Sequence, residues 1–152
     1  MDSKKKRKRM LKNSQSGFTL VELLVVIVVL AVLAAIVLPK FMDSGKRSKE
    51  AALKSDLKLL RNAIVLFHTD TGYYPKDLAD LAATSAPATG LDSSGTERPI
   101  TASMWHGPYI QELPKDPIDA SDFWYGKSGA DIGKVRSQAP GNGVDGTAYS
   151  SW

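Results

Sequence analysis

The chain has 152 residues, enough for one modest domain, and carries 20 Lys and Arg against 16 Asp and Glu, a net charge of +4. It has no cysteine, which excludes disulfides and thiolate metal sites, and its two histidines, His68 and His106, stand at no zinc or catalytic-triad spacing. Residues 1–17 hold seven of the basic residues (Lys4, Lys5, Lys6, Arg7, Lys8, Arg9 and Lys12) against one acid, Asp2, so 13 basic and 15 acidic residues remain from Phe18 onward and their mixed signs exclude a basic nucleic-acid face.

The basic leader is followed by an apolar segment, Phe18 to Leu38, in which only Thr19 and Glu22 are polar. As a helix its 21 residues span about 31 Å, close to the roughly 30 Å of a bilayer's hydrocarbon core. In lipid the backbone must satisfy its own hydrogen bonds, so a helix is predicted despite the many β-branched residues. The Lys and Arg cluster on its N-terminal side, which puts residues 1–17 in the cytoplasm and residues 39–152 across the membrane. A secretory signal peptide has a shorter apolar region and no acid within it, although Ala31, Ala34 and Ala35 imitate its small-residue cleavage site. A plain membrane anchor does not explain Glu22 either. A carboxylate in hydrocarbon costs about 2.5–3.5 kcal/mol, which marks it as a functional residue.

The decisive residues are Gly17-Phe18-Thr19-Leu20-Val21-Glu22, between the basic leader and the apolar run. They resemble the class III signal of type IV prepilins and type II secretion pseudopilins. The resemblance implies cleavage between Gly17 and Phe18 by prepilin peptidase on the cytoplasmic face, then N-methylation of Phe18. Cleavage creates an ammonium group at the end of an apolar helix, and Glu22 of a neighbouring subunit is suited to neutralise it. Either charge alone is costly in a low-dielectric filament core, whereas a hydrogen-bonded pair is tolerated. Pro39 ends the apolar run; it removes one backbone hydrogen bond and predicts a kink or local melting, and related subunits often carry a proline there.

Residues 40–69 predict an amphipathic helix. Leu53, Leu57, Leu60, Ile64 and Phe67 step by four and three along one face, which reads as the stripe that packs on a globular domain. Asp70-Thr71-Gly72-Tyr73-Tyr74-Pro75 breaks it: Gly72 is suited to a left-handed cap, and Pro75 prevents resumption. Lys76 to Ala83 predicts a short helix, and residues 84–103 a long variable loop. Short strands are expected near Trp105–Ile110, Phe123–Gly126, Val135–Ser137 and Thr147–Trp152, with Trp152 packed on the sheet. The expected fold is thus α+β, a long N-terminal helix packed on a small antiparallel sheet. Its divisions are 1–17 (leader), 18–38 (membrane and filament-core helix) and 39–152 (periplasmic domain, including the helix 40–69).

The Asp70–Pro75 turn and Gly107-Pro108-Tyr109-Ile110-Gln111-Glu112-Leu113-Pro114-Lys115-Asp116-Pro117 are similar, in order, to two stretches of the major pseudopilin of type II secretion. That resemblance implies a non-enzymatic structural subunit of the inner membrane. It would polymerise with its own kind, alongside minor pseudopilins and an inner-membrane assembly platform, into a periplasmic filament that drives protein export. The alternative is a type IV pilus or competence-type pilin, and only a DNA-uptake pilin would meet nucleic acid. After Pro117 the pattern diverges. The family's C-terminal loop binds calcium, and Asp119, Asp122, Asp131 and Asp145 on Gly-rich segments are the expected ligands, Asp145 foremost, since hard cations take oxygen ligands. A membrane-anchored enzyme has no nucleophile–base pair or phosphate loop to support it.

Overall fold

A computed structural model describes residues 17–152; residues 1–16 of the predicted leader 1–17 lie outside the described residues. The chain forms two compact units, one up to Lys40 and one from Phe41 to Trp152. The longest element is α1, Leu20–Thr71, whose first part belongs to the first unit and whose remainder is the spine of the second.

Five short strands follow: β1 Tyr74–Pro75, β2 Thr89–Leu91, β3 Glu97–Pro99, β4 Trp124–Tyr125 and β5 Val135–Arg136. β1, β2 and β3 form one antiparallel sheet in sequence order, with Tyr74 opposite Leu91 and Gly90 opposite Arg98. β4 and β5 form a second antiparallel pair, with Tyr125 opposite Val135. Single 3₁₀ turns lie at Leu78–Ala82, Ala102–Met104, Gly129–Asp131 and Tyr149–Ser151. The architecture is α+β.

The predicted stripe forms the core of the second unit. Leu53, Leu57, Leu60, Ile64 and Phe67 are all buried, joined by Ala63 of α1 and by Leu81, Ile110, Phe123, Val135 and Tyr149 of the sheets and loops. Burying each such side chain stabilises the fold by about 1.5–3 kcal/mol. α1 ends at the predicted turn: Gly72 has φ +76° and its N–H donates to the His68 carbonyl at 2.8 Å. Thr71 is buried and bonds the Phe67 carbonyl at 2.8 Å, closing the last turn from the side chain.

Four expectations need correction. The 84–103 segment is not a structureless loop, because it carries the β2–β3 hairpin. Its turn is held by Asp92, whose carboxylate accepts from the Ser94 and Thr96 N–H groups and from the Arg98 guanidinium. No strand forms at Trp105–Ile110, where the Tyr109 and Ile110 N–H groups both donate to the Leu81 carbonyl instead of a neighbouring strand. The Thr147–Trp152 segment makes one bridge, Asn142 to Ala148, then a 3₁₀ turn. Trp152 packs edge-on against Tyr149 under the Lys54 ammonium. Finally, α1 runs through Pro39 without local melting. A proline removes one donor, and bonding on either side carries the helix across the gap.

Candidate functional site

The N-terminal end of α1 is built around one side chain. Gly17, Phe18 and Thr19 precede the first helical residue, Leu20, and lie exposed. Glu22 Oε2 accepts from the Thr19 N–H at 2.8 Å and from Thr19 Oγ1 at 2.9 Å, while Thr19 Oγ1 accepts from the Glu22 N–H at 3.2 Å. This is a reciprocal capping box, in which the cap residue and the third helical residue satisfy each other's free backbone donors. The Thr-x-x-Glu spacing at 19–22 signals it in the sequence, and Thr19 is a residue that sequence reasoning passed over. A Cβ placed on Gly17 would meet nothing within 4 Å, and Gly17 is not among the glycines of positive φ. Among the described residues, no contact therefore demands glycine there.

The two motif stretches meet at the far end of α1. Tyr109 Oη donates to Asp70 Oδ2 at 2.8 Å, and the Asp70 carboxylate also lies 3.5 Å from His106 Nδ1. Burial, reinforced by the Asp70 carboxylate, pushes the Tyr109 phenol up. Tyr125 Oη donates to the Pro75 carbonyl at 2.8 Å, and burial raises its phenol too. Gly107 precedes a cis proline and lies flat on Trp105; a Cβ there would sit 2.6 Å from the indole. Asp116, at the end of the second stretch, is fully buried and accepts from Ser137 Oγ at 2.5 Å and the Ile118 N–H at 2.8 Å. These motif residues lock loops to one another; they do not line a reactive cleft.

A second anchor was not read from the sequence. Glu50 is buried on α1, and its Oε1 accepts from the Val144 N–H at 2.8 Å and from Tyr149 Oη at 3.0 Å. It ties the loop after Gly141 to the helix. Its place one turn before Leu53, in phase with the core stripe, was the available signal.

The four expected calcium ligands do not converge. Asp119 accepts from the Ser121 N–H, Asp122 pairs with Lys115 at 2.5 Å, Asp131 pairs with Lys134 at 3.1 Å, and Asp145 accepts from Thr147 Oγ1 at 2.6 Å and the Thr147 N–H at 3.0 Å. Among the described residues no group of three or more His, Asp or Glu side chains is placed to hold a metal. As a set of four they do not fit one ion. Asp145 is held below the usual carboxylate range by the Thr147 hydroxyl and then by its N–H, and Asp119 by Ser121 in the same way.

Residues 12–38 match the family described as the prokaryotic N-terminal methylation motif, and residues 40–148 match the family described as type II secretion system protein G. Relatives of the same description bear this out. The type II secretion system core protein G of Aeromonas hydrophila is 37% identical over 108 residues, covering 71% of this chain and 71% of the relative. That of Klebsiella pneumoniae is 36% identical over 103 residues (68% and 69%), and that of Escherichia coli K12 33% over 105 residues (69% and 68%). No solved structure matches.

Proposed function

The chain belongs to the type II secretion system protein G family, and on that premise we propose that it is the structural subunit of a secretion pseudopilus, processed after Gly17 and assembled from the inner membrane into a filament that drives export. One observation carries this reading: the methylation motif and the protein G domain match in tandem, over residues 12–38 and 40–148.

The local chemistry supports each step. The Gly17–Phe18 bond is exposed and lies outside the helix, as a peptidase substrate requires. Among the described residues nothing needs glycine at 17, which supports its being read by the processing enzyme. Phe18 then becomes the new, methylated end, three residues before the first turn is complete. The capping box holds the Glu22 carboxylate beside that end, where it is suited to receive the ammonium of an incoming subunit. This pairing sets axial register more than it adds stability, since a buried ion pair barely offsets its own desolvation. Exposed side chains on the first part of α1 supply the apolar surface for lipid before assembly and for neighbouring helices after it. The subunit's partners are copies of itself, prepilin peptidase, minor pseudopilins and the assembly platform, with the domain in the periplasm.

N-terminal sequencing of the mature protein tests the reading. A start at methylated Phe18 is expected; any other start overturns it. Glu22→Ala should insert in the membrane normally and fail to give filaments; a normal filament yield removes its assembly role. Calcium is proposed only for the Asp145 loop, as an ion taken by that carboxylate and main-chain oxygens. Isothermal titration should then give heat that Asp145→Asn abolishes, and no heat from the native chain removes it.

A further inference from the structure

The charge beyond the apolar segment is unevenly divided along the chain. Residues 39–49 hold Lys40, Lys46, Arg47 and Lys49 against Asp43, a net +3, whereas residues 50–152 hold nine basic and thirteen acidic residues, a net −4. Once the leader is cut away, this is the only basic cluster next to the apolar segment, and it lies on the side opposite the one the leader occupied. Lys46, Arg47 and Lys49 are exposed, and among the described residues none takes part in an ion pair of the kind that Lys76, Lys115, Lys127 and Lys134 form. Lys49 bonds only the Ile118 carbonyl, at 3.3 Å. Beside them Phe41 is 72% exposed, and an open groove of about 560 Å³ runs between Phe41, Gly45, Lys46 and Lys49 on one side and Ile118 and Pro140 on the other.

We propose that this collar is a docking surface for anionic phospholipid headgroups of the outer leaflet of the inner membrane, resting on the reading that residues 18–38 span it. Lys40, Lys46, Arg47 and Lys49 all follow Leu38 within eleven residues, next to the headgroup layer that bounds a span ending there. Each cation near an anionic surface gains roughly 1 kcal/mol, while the acidic remainder of the domain is repelled. Phe41 is an aromatic of the kind that settles at the hydrocarbon boundary. The collar thus holds the start of the domain at the headgroups, and gives up its lipid when the subunit joins the filament.

The test uses the full chain in nanodiscs of pure phosphatidylcholine or with about a third phosphatidylglycerol. Acetylation rates of Lys46 and Lys49 are measured by mass spectrometry against Lys58, which lies more than a Debye length further along the helix. With phosphatidylglycerol both sites should slow by at least about threefold relative to Lys58, and 0.5 M salt should restore the rate. Arg47→Gln/Lys49→Gln, an exposed pair of changes that leaves Lys46 as reporter, should shrink the slowing at Lys46. Equal rates in the two lipids overturn the proposal. So does the same slowing produced by soluble glycerophosphate with phosphatidylcholine alone, which marks a free-anion site. A chain that washes out of phosphatidylcholine membranes at alkaline pH refutes the spanning reading itself, and the two failures are thereby told apart.

Discussion

The two parts of α1 share one backbone and bury nothing alike. From Leu20 to Leu38 every large apolar side chain is exposed, while from Leu53 to Phe67 every third or fourth is buried to within a few per cent. The first part is apolar all round, so no single folded domain can cover it, and lipid or neighbouring helices are its solvent. The second is apolar along one stripe, so one small domain covers it completely. A single helix thus serves two environments, and the pattern of its apolar residues, more than their number, assigns each part to its own.

That contrast can be broken directly. Phe67→Ala should lower the unfolding free energy of the detergent-solubilised chain by about 3–5 kcal/mol, read from tryptophan fluorescence in urea, whereas Leu30→Ala should leave the same midpoint in place. Equal effects would mean that the first part of α1 also supports the domain. The loop anchors on the buried part come next. Glu50→Ala orphans the Val144 N–H and the buried Tyr149 hydroxyl, and should cost about 1–3 kcal/mol. Tyr109→Phe, which frees Asp70 from its donor, should cost about 0.5–1.5 kcal/mol. On the exposed part, Thr19→Ala removes a cap worth about 1 kcal/mol and should fray the first turn, seen as faster amide exchange there, with no change in the urea midpoint.

The smallest effect is that of pH. Asp145, Asp119 and Asp92 all have carboxyls held below their ordinary range by donors in their own turns. A folded value below the unfolded one means that the stability they add is complete above about pH 4 and is lost as pH falls toward the folded values. Asp145→Asn should therefore flatten the acid limb of a stability–pH curve and leave its neutral plateau nearly unchanged. A limb of unchanged steepness would mean that other groups govern the acid transition.

Much of the site was legible because its signals are local. The Gly17–Glu22 spacing, the apolar run and the four-three stepping of Leu53 to Phe67 each lie within a few helical turns. The Gly72 cap follows from a glycine's freedom at positive φ. The misplaced strands had no such signal. β2 and β3 are three residues each, in a segment of Ser, Thr, Gly and Pro, and exist because Leu91 and Gly90 find Tyr74 and Pro75 across the sheet. Trp105–Ile110 has the aromatic residues of a strand, yet its donors are taken by Leu81.

The sequence by itself therefore determined the N-terminal methylation motif, the buried stripe of α1 and the family. These depend on composition and on contacts within a turn or two of helix. Only the tertiary structure decided that Asp70 holds Tyr109, that Glu50 holds the loop after Gly141, and that four aspartates stand apart. Each of those pairs or separates residues tens of positions apart. Such distances are set by which loop closes over the core, and a linear pattern carries no term for that.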